Sequence, residues 1–359
     1  MEKVKIGIIG CGGIANGKHM PALSNLKNVE MVAFCDIVIE RAEKAKKEYG
    51  TADARVYSDY NEMLAKEKLD AVSVTTWNAE HARATIAALN AGCNVICEKP
   101  MAMNTEEAVA MEKAAIKSGK LLQIGFVRRY GGDALSAKDF IDSGKAGDIF
   151  FARVSYERRN GCPGRWFADK KYSGGGPLID LGVHVMDLAR YLAGRPKPVS
   201  AYGVTVAKAI ERDENKEKVG EAWHSETKGQ FAQDVEDFAT GFIKFDNGFV
   251  INVSTSFRLN LVVPRDNVEI LGTKAGLILA APTKYLLCDG TEGVIDDKDY
   301  PSSDFNDIFR AEMAHFIDCV RNGTECRAPA HDGVVLMQMI DALYESAATG
   351  KEAFVKSID

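Results

Sequence analysis

Residues 4–15 read VKIGIIGCGGIA, an isoleucine-rich apolar run that ends in a glycine-rich turn. Continuous rather than alternating hydrophobicity is typical of a strand covered on both faces, as in a parallel sheet. Gly10, Gly12 and Ala15 follow the pattern GxGxxA, in which the backbone approaches a pyrophosphate and a helix N-terminus faces its charge. With Gly13 and Ile14 in the same turn, this stretch predicts a dinucleotide site in a doubly wound α/β domain.

A second apolar run, 29–35, ends beside an acidic residue. Asp36 comes 36 − 12 = 24 residues after Gly12, close to the ~20 expected for the acid that binds the adenosine ribose hydroxyls. Its carboxylate would repel a 2′-phosphate, and residues 37–39 are all apolar. We therefore expect NAD rather than NADP, although Arg41 lies nearby as a candidate contact for the cofactor.

Three further apolar runs, at 71–76, 94–98 and 121–126, alternate with segments of helical period. This alternation predicts an N-terminal Rossmann domain over residues 1–126. Polar residues follow the runs at the carboxyl edge of the sheet, where open α/β sheets bind ligands. A lysine at this edge can hold a substrate oxygen, although a lysine exposed on a turn before proline would look the same in sequence. The candidate cofactor contacts in these positions are Thr76, Asn78, His81, Glu98 and Lys99.

The pattern changes after residue 126, and we expect a second domain over 127–359. Alternating strands at 238–245 and 249–257 flank Asn247-Gly248, a pair that favours a tight hairpin turn. The second domain is therefore predicted to be an α/β domain with a largely antiparallel open sheet. Helices are predicted over 177–192, 305–321 and 332–349, and the last is expected to pack back on the first domain.

The helix predicted over 177–192 is apolar except for three residues spaced i, i+4 and i+7. Asp180, His184 and Asp187 would therefore form one polar stripe, which needs partners or a ligand. Histidine is the side chain best suited to exchange a proton near neutral pH. A zinc site is the weaker interpretation, because no second His or Cys cluster completes a ligand set, and we expect no metal. The eight scattered cysteines are expected to be reduced and buried.

In order and spacing, the motifs resemble the Gfo/Idh/MocA family, named for glucose-fructose oxidoreductase and inositol dehydrogenase. They are Gly10-x-Gly12-x-x-Ala15, Thr76-x-Asn78-x-x-His81, Glu98-Lys99-Pro100, Gly125–Tyr130 and Asp180-x-Gly182-x-His184. The resemblance implies NAD(P)-dependent oxidation or reduction of sugars, polyols and their derivatives.

The resemblance also implies roles for individual residues. Lys99 and His184 would contact the reacting hydroxyl, and Asp180 would orient His184 or bind a neighbouring hydroxyl. Arg128 would contact the cofactor and Tyr130 the substrate. Trp77 departs from the proline that many members carry before the asparagine, which weakens the transfer of roles to Thr76 and Asn78.

The segment 156–167 is the main indication of substrate. Arg159, Asn160 and Trp166 suit a hydroxyl-rich ring through hydrogen bonds and stacking, although a surface loop with one anchoring tryptophan explains them equally well. The segment resembles the subgroup that oxidises sugar rings and glycosides, so we expect a pyranose or glycoside hydroxyl, including C3 of C- or O-glycosides. An acidic substrate is the alternative, because several arginines could bind its carboxylate: Arg128, Arg129, Arg158, Arg159 and Arg165.

Two other classes of function stay open. One is a glycoside-cleaving enzyme with tightly held, recycled NAD, for which Tyr130, Tyr156 and His224 are candidate bases. The other is a non-catalytic NAD-binding regulator, which would not need Lys99 and His184.

The net charge of −6, with no long basic run, argues against a nucleic-acid partner. No stretch reaches the about 18 apolar residues of a membrane span, and a strand begins at once, so no membrane association and a cytoplasmic location are expected. The open second sheet needs cover, which predicts a homo-oligomer.

Overall fold

A computed structural model describes residues 3–208 and 229–356. Contacts divide the chain into two compact units, which are described separately below. The first unit holds Met1–Tyr130 and Asp304–Val334, and the second holds Gly131–Ser303 and Val335–Asp359. The candidate base His224 lies outside the described residues, as does the segment 211–218, whose sequence is rich in charged residues.

The first 130 residues alternate strands and helices from Val4 onward. Two irregular turns accompany them: a π-helical turn at Ala15–His19 and a 3-10 turn at Val127–Tyr130. The strands are β1 (Val4–Ile9), β2 (Val29–Cys35), β3 (Arg55–Tyr57), β4 (Ala71–Val74), β5 (Asn94–Cys97) and β6 (Leu122–Ile124). The helices are α1 (Met20–Ser24), α2 (Ile39–Tyr49), α3 (Tyr60–Lys66), α4 (Asn78–Asn90) and α5 (Thr105–Ser118).

These strands form one parallel sheet in the order β3-β2-β1-β4-β5-β6. The sequence runs of continuous hydrophobicity become strands that are covered on both sides, as β4 illustrates with four buried residues. The order places β1 at the centre, so the turns after β1, β4 and β5 meet at one carboxyl edge. The Rossmann prediction is confirmed.

The second unit begins with a helix and continues into a large sheet. Its helices are α6 (Gly132–Asp142), α7 (Lys170–Ser173) and α8 (Val183–Leu192), with a 3-10 turn at Arg165–Ala168 and a π-helical turn at Leu178–Gly182. Its strands are β7 (Ile149–Glu157), β8 (Pro198–Val206), β9 (Phe238–Phe245), β10 (Val250–Ser256), β11 (Arg265–Gly272), β12 (Ala275–Ile278), β13 (Lys284–Leu287) and β14 (Glu292–Val294). The chain ends with α9 (Phe305–Asn322), α10 (Ala330–Thr349) and β15 (Ala353–Phe354), of which α9 belongs to the first unit.

Within the described residues the second sheet has the order β14-β13-β12-β11-β7-β10-β9-β8-β15. β7 and β10 pair in parallel and every other pair of neighbouring strands in this order is antiparallel, so the prediction of a largely antiparallel sheet is confirmed. The hairpin at Asn247-Gly248 forms as expected, with Gly248 at φ +84°. Helix α8 packs against β7, β10 and β11.

Three details differ from the sequence-based expectations. The helix predicted over 177–192 is a π-helical turn followed by α8, rather than one α-helix. Strands β3, β8 and β11–β15 were not predicted. All eight cysteines lie in the described ranges and are free, but Cys288 is exposed and Cys162 and Cys326 are half-buried, so uniform burial was wrong. Among the described residues, no helix combines the length and apolarity needed to cross a bilayer.

Candidate functional site

The glycine-rich turn after β1 has the shape that a pyrophosphate requires. Gly10 has φ +92°, and a Cβ there would lie 2.7 Å from the carbonyl carbon of Thr75, so only glycine fits. A Cβ on Gly12 would meet nothing within 4 Å. The protein's own packing therefore gives no reason for glycine at position 12, whereas close approach by a ligand does. The residues present fit a bound dinucleotide.

Asp36 lies at the end of β2 and is tied to this turn. One carboxylate oxygen accepts the Cys11 N–H at 2.8 Å, and the other accepts the Val38 N–H at 2.8 Å. Each oxygen keeps acceptor capacity beyond these bonds, as ribose hydroxyls would need. Arg41 lies one turn into α2 and is half-buried, and Ile14 packs against Val127, Ile308 and Phe309 within the first unit.

The turn after β5 carries Glu98, Lys99 and Pro100, and it is held at both ends. Glu98 Oε2 accepts the Lys99 N–H at 3.1 Å, and His81 Nδ1 lies 2.7 Å from the Pro100 carbonyl oxygen. Burial lowers the pKa of His81, so the ring is neutral and its one N–H donates to the nearer carbonyl, that of Pro100. The structure brings together His81, Glu98 and Lys99, but it gives His81 backbone partners.

Glu98 is buried, and His19 contacts it. His19 Nε2 lies 2.7 Å from Glu98 Oε1, and His19 Nδ1 lies 2.8 Å from Ser73 Oγ. Burial alone would raise the pKa of Glu98, but the hydrogen bonds and charges of His19 and Lys99 together outweigh it, and the pKa is lowered. Glu98 is therefore a carboxylate. No role was predicted for His19 from sequence.

The remaining first-unit candidates lie at the same edge or behind it. Thr76 donates to the Trp77 carbonyl at 3.2 Å, and Asn78 is the buried first residue of α4. Arg128 is half-buried in the 3-10 turn beside Arg129, whose guanidinium is fully buried against Asp332 at 2.7 Å. The contacts of Thr76, Asn78 and Arg128 with a cofactor stay predictions.

Tyr130 lies in the interior of the first unit. Its ring is fully buried beside His315, and the Arg327 guanidinium lies 4.9 Å from the ring centre. Among the described residues its hydroxyl has no hydrogen-bond partner, and the same holds for both carboxyl oxygens of Glu312. Burial raises the pKa of Glu312 well above its ordinary value, so this carboxyl is neutral. The substrate contact of Tyr130 stays a prediction that its burial does not support.

In the second unit, the π-helical turn and α8 carry the polar stripe. Asp180 and Asp187 are buried and His184 is half-buried, with its ring 6.3 Å from that of Tyr156. Wide turns with i→i+5 hydrogen bonds recur at functional sites. Here the chain has one immediately after the nucleotide fingerprint and a second at Asp180.

Glu236 holds the start of the second wide turn. Its carboxylate accepts the Gly176 N–H at 2.9 Å, the Leu178 N–H at 3.2 Å and the Tyr344 hydroxyl at 2.9 Å. A Cβ on Gly176 would lie 2.3 Å from the Glu236 carbonyl oxygen, so glycine is needed there. No role was predicted for Glu236 from sequence. The signal that could have found this contact is the glycine triplet at 174–176, before Pro177.

The predicted sugar contacts are largely engaged within the second unit. The Arg159 guanidinium donates to the carbonyls of Leu261 and Val262 at 2.9 and 2.7 Å. Asn160 forms an isolated backbone bridge with Arg258, and Trp166 stacks on Phe167 with 3.8 Å between ring centres. Substrate binding by these three residues stays a prediction.

One cluster in the first unit has metal-ligand chemistry. The ligand atoms of His315, Cys319 and Cys326 lie within 4.8 Å of one another. His315 Nε2, however, already accepts the Arg327 N–H at 3.0 Å, and the Cys326 thiol donates to Gln123 Oε1 at 3.5 Å. Because the protein uses the nitrogen lone pair that a metal would need, we assign no metal to this cluster.

Comparison with known proteins agrees with the geometry. The family described as "Oxidoreductase family, NAD-binding Rossmann fold" matches residues 4–126, and its companion, "Oxidoreductase family, C-terminal alpha/beta domain", matches residues 138–356. D-glucoside 3-dehydrogenase of Escherichia coli (strain K12) is 34% identical over 358 residues, covering 97% of this chain and 96% of that protein. Glucose-6-phosphate 3-dehydrogenase of Bacillus subtilis (strain 168) is 26% identical, covering 99% of each.

Solved structures share the fold. Levoglucosan dehydrogenase, in complex with NADH and L-sorbose, superposes with a TM-score of 0.84 at 24% identity and covers 100% of both chains. The two family matches together span most of the chain and coincide with the NAD-binding fingerprint and the second sheet. The chain therefore belongs to the Gfo/Idh/MocA family of NAD-binding oxidoreductases.

Proposed function

We propose that the protein is an NAD-dependent dehydrogenase that acts on a secondary hydroxyl of a sugar, glycoside or polyol. The observation that carries the proposal is the place of Lys99 at the carboxyl edge of the Rossmann sheet. Its peptide follows β5 and is fixed by Glu98 and His81, while the fingerprint turn follows β1 at the same edge. A lysine ammonium that extends from this edge suits an alcohol oxygen that develops negative charge.

The chain's own residues handle the proton. Bound NAD supplies the hydride acceptor. Lys99 Nζ holds the hydroxyl oxygen, an imidazole nitrogen of His184 takes the proton, and Asp180 orients His184. The match of the Glu-Lys-Pro and Asp-x-Gly-x-His motifs to the family supports these roles. The π-helical turn held by Glu236 gives Asp180 a defined backbone.

We expect NAD to be preferred over NADP. Asp36 is buried, two N–H donors hold its carboxylate oxygens in place, and it would repel a 2′-phosphate. One partial relative, a scyllo-inositol 2-dehydrogenase of Bacillus subtilis that is 34% identical over 202 residues, carries NADP(+) in its name, so both cofactors belong in the assay.

A glucoside or related pyranose, oxidised at C3, is the proposed substrate class. Two relatives that match over nearly the full chain are both named 3-dehydrogenases, one for D-glucosides and one for glucose 6-phosphate. We propose a cytoplasmic location on the basis of the free cysteines and the NAD cofactor. A homo-oligomer that covers the second sheet is also proposed, and its test is given in the Discussion.

Absorbance of NADH at 340 nm tests the proposal. Purified protein is incubated with NAD or NADP and with methyl glucosides, free hexoses, inositols or hexuronic acids. We expect turnover of a glucoside, and Lys99→Met and His184→Asn should each lower kcat by about 10²–10⁴-fold. The matched controls Lys117→Met and His331→Asn change exposed residues and should leave kcat within twofold.

One result would contradict the dehydrogenase, and another would contradict the roles of its two residues. If no compound is oxidised and NAD is released on denaturation, the enzyme with recycled NAD gains support. Full activity of both variants would instead remove Lys99 and His184 from the chemistry.

A further inference from the structure

We propose that His19 is a positioning residue for Lys99, acting through the carboxylate of Glu98; this rests on the proposed role of Lys99 at the substrate hydroxyl. His19 is the last residue of the π-helical turn Ala15–His19, which follows the nucleotide fingerprint. Its side chain is fully buried, so it cannot contact a ligand at the surface itself.

The connection runs through two hydrogen bonds. His19 Nε2 donates to Glu98 Oε1 at 2.7 Å, and Glu98 Oε2 accepts the Lys99 N–H at 3.1 Å. Each oxygen of one carboxylate therefore has its own donor, so the plane of the carboxylate and the Lys99 peptide are fixed together. The far side of the same turn is fixed by His81 at the Pro100 carbonyl.

The surroundings leave the Glu98 carboxylate little room to rotate. A Cβ on Gly125 would lie 3.2 Å from Glu98 Oε1, so glycine at this position leaves the space that the carboxylate occupies. His19 Nδ1 is held in turn by Ser73 Oγ at 2.8 Å, on β4. The ring of Phe309 lies 5.9 Å from the His19 ring. His19 thus has one fixed orientation, set from β4, with its donor aimed at Glu98.

This arrangement couples the cofactor turn to Lys99. Removing the Glu98 contact alone should misplace Lys99 while the fingerprint, Asp36 and the NADH site stay intact. Misplacement of a group near the reaction lowers kcat more than it changes KM.

Two polar variants separate the contacts of His19. The amide nitrogen of glutamine replaces Nε2, so His19→Gln keeps the Glu98 contact. The amide nitrogen of asparagine replaces Nδ1, so His19→Asn keeps only the Ser73 contact. His331→Asn, at an exposed histidine, is the control. For each protein we measure Tm, the Kd of NADH by fluorescence, and the rate at which acetic anhydride labels Lys99 relative to Lys117 by mass spectrometry.

With methyl glucoside as the assay substrate, we expect His19→Asn to lower kcat 10- to 100-fold. The Kd of NADH should stay within threefold, and the relative labelling of Lys99 should change at least threefold. The isotope effect on kcat, measured with deuterium on the oxidised carbon of the substrate, should rise. The kcat of His19→Gln should be at least tenfold higher than that of His19→Asn. Its relative labelling of Lys99 should equal that of the wild type. Equal defects in the two variants, or wild-type labelling and kcat in His19→Asn, would overturn the proposal.

Labelling separates this proposal from the proposed function. If the wild-type protein oxidises none of the sugars but His19→Asn alone alters Lys99 labelling, the dehydrogenase assignment fails and the positioning role stands. If methyl glucoside is oxidised and His19→Asn matches the wild type in both readouts, the positioning role fails and the dehydrogenase stands.

Discussion

At the residue scale, two buried carboxyl groups of the first unit differ in charge: Glu98 is ionised and Glu312 is neutral. Glu98 is a carboxylate because His19 donates to it, whereas Glu312 is fully buried with no hydrogen-bond partner among the described residues. Burial and the nearby charge of Glu98 raise the pKa of Glu312 well above its ordinary value. The two glutamates thus differ in protonation state because their neighbours differ.

The raised pKa of Glu312 predicts how stability depends on pH. Above the unfolded pKa the unfolded chain loses this proton while the folded chain keeps it, so the folded state binds more protons and this carboxyl makes stability fall as pH rises. The slope is about 1.4 kcal/mol per pH unit until the folded pKa is reached. Glu312→Gln should therefore raise Tm more at pH 8 than at pH 5.

Thermal unfolding at both pH values checks this prediction. Glu325→Gln, at an exposed position in the same unit, should show no such pH-dependent gain. A gain in Glu312→Gln of equal size at both pH values would show that the carboxyl ionises alike in both states.

Asp36 supports a second prediction at this scale. Asp36→Asn keeps the size and one acceptor but removes the charge that repels a 2′-phosphate. We expect the ratio of the NADPH to the NADH dissociation constant to fall about tenfold, or roughly 1.4 kcal/mol. Fluorescence titration measures both constants without a substrate, and Asp53→Asn, at an exposed site after α2, is the control. An unchanged ratio would mean that Asp36 does not set the cofactor preference.

At the element scale, the wide turn before α8 depends on Glu236. Two backbone N–H groups and the Tyr344 hydroxyl converge on its carboxylate. Glu236→Gln loses an acceptor and leaves a buried N–H unpaired, which should cost about 1–3 kcal/mol in the free energy of unfolding. Because Asp180 and His184 follow this turn, kcat should also fall at least tenfold.

The Kd of NADH provides the comparison for this variant. NADH binds to the first unit, so its Kd should be unchanged in Glu236→Gln. Glu292→Gln, exposed on β14, should change neither kcat nor the free energy of unfolding. A loss of NADH affinity equal to the loss of kcat would point to general unfolding rather than to the position of His184.

The same elements show what sequence can predict. The hairpin at Asn247-Gly248 and the fingerprint at Gly10 were predicted because their chemistry is local: a positive φ or a close approach is encoded in the residues themselves. The π-helical turn was not, since its partner Glu236 is 60 residues away from Gly176. Likewise Asp36 and Lys99 were identified from strand ends, whereas His19 reaches Glu98 across 79 residues.

At the scale of the whole molecule, the second sheet has one face that carries exposed aromatic side chains. Across five neighbouring strands, the register aligns Tyr202, Phe242, Asn252, Arg153 and Glu269 in one row. Tyr202 and Phe242 remain 47% and 48% exposed. Arg153 and Glu269 pair with each other at 2.6 Å, so the row has an apolar end and a charge-neutral end. Such a face is typical of an interface between copies.

We therefore expect light scattering to give a mass that is a multiple of the 39.1 kDa chain. In a symmetric dimer each residue of the face meets the same face of its partner, so Phe242→Asp buries a new charge in each copy. That variant should reduce the mass to a single chain. Ile116→Asp, a matched substitution at an exposed isoleucine of α5 in the first unit, should keep the wild-type mass. A monomeric wild type would refute the oligomer, and an oligomer that survives Phe242→Asp would place the interface on another surface.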